Sequence, residues 1–74
     1  MVTLDLSGEI CPYTLVKSKL ALETILPGET LRVLLDHAPA ARDVPRAFRE
    51  SGHEVLAVDE PAPGRWEIVV RKRL

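Results

Sequence analysis

What the chain lacks narrows its chemistry first. It has one cysteine in 74 residues, so no disulfide can form within it. There is no Cys-x-x-Cys pair and no second thiol to resolve an oxidised one. Cys11, His37 and His53 match no zinc spacing, and neither a metal site nor a cofactor is expected. Tyr13, Phe48 and Trp66 are the only aromatic residues. So few rings do not make a stacking platform for single-stranded nucleic acid. A net charge of −1 gives no bulk attraction to phosphate. The one basic run, Arg71-Lys72-Arg73, reads as a solvated strand end. No stretch approaches the ~20 apolar residues that span a bilayer. The opening Met1-Val2-Thr3-Leu4-Asp5 has neither the basic nor the apolar region of a signal peptide. Direct nucleic-acid binding and membrane insertion are therefore not expected, and the cytoplasm is the expected location.

What is present suits one small folded domain spanning residues 1–74. Hydrophobic residues make up 46% and charged residues 28%, an ordinary globular balance that excludes disorder and a coiled coil. A chain of this size buries only about 60% of the surface its unfolded form exposes, which favours short loops and few layers.

Val2, Leu4 and Leu6 alternate with Thr3 and Asp5, as in a strand with one buried face. Ser7-Gly8-Glu9-Ile10 leads to Cys11-Pro12, and proline favours the first helical position, so a helix is expected from Pro12 with Cys11 as its cap. It runs to about Leu26, with Leu15, Ser18, Ala21, Leu22, Ile25 and Leu26 on one face, and Pro27-Gly28 ends it. Leu31, Val33 and Leu35 mark a second strand, parallel to the first. A second helix is expected between about Ala40 and Ser51, with Ala41, Val44 and Phe48 inward. Pro45 is awkward inside it, which points to Asp43 as the cap. Val55 to Val58 forms a third strand and Pro61-Ala62-Pro63-Gly64 a turn. Trp66 to Lys72 forms a fourth strand with Trp66, Ile68 and Val70 on one face. The expected fold is α+β: a two-layer βαβαββ sandwich with both helices on one face of a mixed four-stranded sheet.

Cys11 is the candidate for chemistry. A single cysteine is often just a small buried hydrophobe. Here it stands at the end of a strand-to-helix loop, where the helix N-terminus offers partial positive charge and free N–H groups. Such placement can lower a thiol pKa from ~8.5 to ~3.5–7.5. Pro12 fixes the backbone directly after the sulfur without adding a donor. Cysteine hydrolases need a base held in place. His37, after the second strand, is the nearer candidate base, but it reads first as a polar loop residue. A thiolate without a dedicated base suits transfer between sulfurs, because the thiolate is itself the nucleophile.

Along its whole length the chain resembles the TusA-like sulfur carriers, also called SirA/YedF-like. The resemblance rests on Leu6-Ser7-Gly8-Glu9-Ile10-Cys11-Pro12, on Pro27-Gly28-Glu29-Thr30-Leu31, on Asp36 with Arg42-Asp43-Val44-Pro45, and on Gly52-His53 before the final hairpin. It implies a βαβαββ sandwich in which Cys11 takes sulfane sulfur, as a persulfide, from a cysteine desulfurase or rhodanese-like donor. The sulfur then passes to an acceptor protein, in tRNA thiolation, molybdenum cofactor assembly or sulfur oxidation. Such a protein is a sulfurtransferase-like carrier with no autonomous turnover, and a monomer is expected. The family motif is Cys-Pro-x-Pro, and this chain departs from it with Cys11-Pro12-Tyr13-Thr14. Thr14 is expected to give the Cys11 sulfur an additional donor, through its N–H or its hydroxyl, where proline offers none.

Pro12, Tyr13 and Thr14 would thus shape the site. Tyr13, Val16 and Leu20 form a second apolar stripe on the first helix, flanked by Lys17 and Lys19. The stripe either packs on the second helix or forms a partner-docking ridge whose lysines steer an acidic surface. Asp36, Arg42 and Asp43 read first as structural and otherwise as residues that order the loop facing Cys11. The competing reading of the whole chain is a non-catalytic RNA- or protein-binding module with a structural Cys11.

Overall fold

Strict alternation is realised most fully in the second strand. In β2, Thr30–Leu35, the side chains of Leu31, Val33 and Leu35 are buried and those between are half-buried. The structure is a computed structural model that describes residues 2–10 and 13–73; Met1, Cys11, Pro12 and Leu74 lie outside the described residues. Its elements are β1 (Val2–Asp5), α1 (Tyr13–Glu23), β2, α2 (Ala38–Glu50), β3 (Glu54–Ala62) and β4 (Arg65–Arg71). The sheet order is β1-β2-β4-β3, with β1 and β2 parallel and the other two pairs antiparallel. This is the expected α+β sandwich.

Both helices press on one face of the sheet. Leu31, Val33, Leu35, Ile68 and Val70 from β2 and β4 meet Leu22 of α1 and Ala40, Val44 and Phe48 of α2, with Leu6 and Ile25 from the loops. Trp66 and Leu15 pack partly buried against this core. The opposite face carries cross-strand ion pairs. Arg71 Nη1 lies 3.2 Å from Glu54 Oε1. Arg32 Nη2 donates to Glu67 Oε2 at 3.1 Å, while its Nε lies 2.9 Å from Oε1 but out of line for a hydrogen bond. That face is charged, so it needs no cover.

Several boundaries differ from those expected. The first helix stops at Glu23, short of Leu26, because the chain tightens there: Thr24 and Ile25 donate to carbonyls three residues back, at 3.1 and 3.4 Å. Lys72 Nζ then caps the carbonyls of Ile25 and Glu23, at 2.8 and 3.3 Å. Leu26, placed inward by periodicity, is 70% exposed. Asp43 does not cap the second helix. The cap is His37, and α2 opens on Ala38 and Pro39, with Ala41 N–H donating to His37 O at 3.2 Å. Pro39 supplies the preset φ of a first turn. Pro45 sits inside the helix and is buried, so packing offsets the bond it cannot give. Starting earlier turns Ala40, not Ala41, fully inward. The last hairpin is also tighter than expected. β3 runs on through Pro61 to Ala62, an edge position that tolerates proline, and only Pro63 and Gly64 turn.

Candidate functional site

The loop from Leu6 to Ile10 joins β1 to α1 and leads directly into Cys11 and Pro12, which lie outside the described residues. Its amides are almost all engaged. Leu6 N–H donates to Leu34 O at 2.8 Å, tying the loop to β2. Ser7 N–H donates to Asp5 Oδ1 at 2.9 Å. Glu9 N–H returns to Leu6 O at 3.0 Å, closing a turn with Gly8 at its third position. Gly8 has φ of +86°, a conformation that strains residues with a side chain. Its N–H meets both carboxylate oxygens of Asp36, each at 2.9 Å. Glu9 in turn accepts from Lys17 Nζ at 2.7 Å, fastening the loop to α1. The Ser7 hydroxyl first, and then its amide, hold the Asp5 carboxyl below its ordinary value.

The helix after this loop takes its first bonds on Ile10. The Ile10 carbonyl accepts from Tyr13 N–H at 2.9 Å and from Thr14 N–H at 3.3 Å. The expected cap, Cys11, lies outside the described residues. The expected donation from the Thr14 N–H or hydroxyl to the Cys11 sulfur involves a residue outside the described ones. Thr14 is fully buried, a core role that periodicity missed, and its carbonyl accepts from Ser18 Oγ at 2.6 Å.

The other nominated residues separate. Asp36 reaches the loop, as described. Arg42 and Asp43 do not; they face each other across 3.8 Å on the exposed side of α2. His37 caps α2 through its backbone and makes no side-chain cap bond. His53 is at the wrong end of the sheet for the loop, since it precedes Glu54, which pairs with Arg71 opposite Thr30, the first residue of β2. There it accepts from Arg73 N–H at 3.2 Å, and its ring stands nearly perpendicular to that of Phe48.

The apolar stripe on α1 does not pack on α2. Tyr13, Val16 and Leu20 are 61%, 51% and 57% exposed. Ile10, which the sequence reading passed over, is 57% exposed and adds to the patch at the loop end. Nothing in its local pattern marked it, because a residue in a turn belongs to no periodic face. Lys17 is held by Glu9, whereas Lys19 is exposed, so the two lysines do not present equal charge.

Comparison with known proteins bears on the family and the fold. The family model described as Sulfurtransferase TusA matches residues 2–72. A candidate sulfur carrier protein of Archaeoglobus fulgidus is 49% identical over 70 residues, covering 95% of this chain and 80% of that protein. A second such candidate, from Thermotoga maritima, is 39% identical over 69 residues, covering 93% and 87%. The crystal structure of a SirA-like protein from Desulfitobacterium hafniense superposes with a TM-score of 0.85 over 100% of both chains. Its 24% identity makes that a likeness of fold alone.

Proposed function

Since the chain belongs to the sulfurtransferase TusA family, we propose that it carries sulfane sulfur as a persulfide on Cys11 and relays it between two proteins. The observation that carries this reading is the family match across residues 2–72, which includes the Cys11-Pro12 pair. The pinned loop ahead of Cys11 supports it. A loop whose amides at Leu6, Ser7, Gly8 and Glu9 all donate within the protein has little freedom left. Little reorganisation is then needed when a partner arrives.

In the loading step the Cys11 thiolate attacks the terminal sulfur of a persulfide on a cysteine desulfurase or rhodanese-like donor. A new S–S bond forms to Cys11, the donor's S–S bond breaks, and the donor cysteine leaves as a thiolate. Delivery repeats the exchange with an acceptor nucleophile, so no redox cofactor is consumed in the transfer itself. Cys11 acts once per encounter, as a carrier and not as an enzyme with its own turnover. The exposed patch of Ile10, Tyr13, Val16 and Leu20, with Lys19 on its flank, serves as the docking ridge beside the loop. The family match lends nothing to the alternative of an RNA- or protein-binding module with a structural cysteine.

Intact mass after incubation with a cysteine desulfurase and cysteine tests the proposal. The protein gains one sulfur, loses it on reduction, and Cys11→Ser gains none. A folded protein with a free thiol that takes no sulfur from either a desulfurase or a rhodanese donor overturns it.

A further inference from the structure

We infer that Asp36 is a positioning residue for Cys11: from the end of β2 its carboxylate fixes the Gly8 amide and so sets the pose of the loop that enters the cysteine. This rests on the carrier reading above. The contact crosses 28 residues of sequence, and both carboxylate oxygens lie 2.9 Å from one N–H. Parallel pairing brings it about. Asp5 of β1 stands opposite Leu34 of β2, so the strands end side by side and Asp36 emerges next to the turn that follows β1.

Asp36 is not used by the helix it precedes. The cap of α2 is His37, whose side chain makes no cap bond, and the Asp36 carboxylate bonds to Gly8. The carboxylate is given instead to a neighbouring loop, as a charge-assisted acceptor for the amide of a residue at positive φ. The other side-chain bonds of this loop are of a different kind. Ser7 is held by Asp5 from within the same segment, and Glu9 by a half-exposed lysine. Asp36 is the side chain that refers the loop to the sheet.

The position is exposed, so water can replace the carboxylate at the Gly8 amide and the fold loses little. Orientation is another matter. Sulfur transfer brings the attacking sulfur, the sulfane sulfur and the leaving sulfur into line, and such geometry is sensitive to small displacements. Loss of Asp36 therefore acts more on transfer than on stability.

The test compares Asp36→Ala and Asp36→Asn in the full chain. Asparagine keeps a carbonyl acceptor for the Gly8 amide and removes the charge. In Asp36→Ala, hydrogen exchange at the Gly8 amide rises about tenfold, and kcat/KM for loading by a cysteine desulfurase falls about tenfold. Its thermal midpoint stays well above the assay temperature. Asp36→Asn restores both readouts to within about threefold of wild type, since the hydrogen bond returns. Unchanged Gly8 exchange, wild-type loading by Asp36→Ala, or an asparagine variant as slow as the alanine one overturns the inference. If the wild-type protein takes no sulfur, the carrier reading fails separately. The rate of Cys11 alkylation by iodoacetamide then decides: a several-fold change in Asp36→Ala upholds the positioning role, and equal rates overturn it.

Discussion

Single contacts at the end of β1 set the character of the site. Asp5 shows how. Its carboxyl is held below its ordinary value by the Ser7 hydroxyl and then the Ser7 amide, with a smaller contribution from Arg65 and a small opposing one from desolvation. A carboxyl depressed by folding adds stability above its unfolded value, near ~3.9, and that contribution fades as pH falls through the folded value. The turn at Ser7 and Gly8 is thus expected to loosen only in acid. Titration of the Asp5 carboxyl by NMR is expected to give a midpoint below that of an unfolded peptide. Ser7→Ala is expected to raise it; a midpoint that stays put would mean the hydroxyl is not the main cause. Thr14 shows a different economy. Its amide closes the first turn on Ile10 and its side chain fills the core, so the residue that departs from the family motif is built into the fold.

At the scale of elements, α1 is unusual in showing apolar residues on both sides. Ser18 and Leu22 face the core, with Thr14, while Tyr13, Val16 and Leu20 face water. The sheet's outer face, by contrast, is laced with ion pairs. Ile10, Tyr13, Val16 and Leu20 form an exposed apolar stripe that begins beside the loop, and Val2, Leu26, Leu56 and Val58 are exposed elsewhere. Val16→Asp is expected to weaken donor binding at least tenfold while changing stability by no more than about 0.5 kcal/mol, as for other exposed sites. Leu26→Asp is the control, since Leu26 is equally apolar and more exposed but lies beyond the far end of α1. Binding measured by calorimetry decides; undiminished affinity in Val16→Asp would remove the ridge from the mechanism.

The molecule as a whole has little stability to spare. For 74 residues the usual range is roughly 4–11 kcal/mol. Phe48 is the largest fully buried side chain, and it joins α2 to the sheet. Phe48→Ala is expected to cost about 3–5 kcal/mol, most or all of the lower end of that range. Urea unfolding measures it; a loss under about 1 kcal/mol would show that the core closes over the gap. The core reaches the loop, since Leu6, the loop's first residue, is buried in it. Most of the core lies between the two helices and the central strands β2 and β4, and the loop before Cys11 follows β1.

The sequence by itself determined the sandwich, because alternation in β2 and β4 and the helical spacing of Ser18, Leu22 and Ile25 are local patterns that burial enforces. It also singled out Cys11, through the residues around it and the family they resemble. It placed Asp43 at the head of the second helix and Leu26 in the core, and each was displaced by something distant or cooperative. Packing holds Pro45 inside α2, and Lys72 caps the end of α1 from beyond the last strand. Only the tertiary structure decided that Asp36 meets Gly8 and that the second stripe of α1 stays in water. A hydrogen bond across 28 residues, or an apolar side chain left uncovered, depends on what the fold brings near it, and no periodicity carries that information.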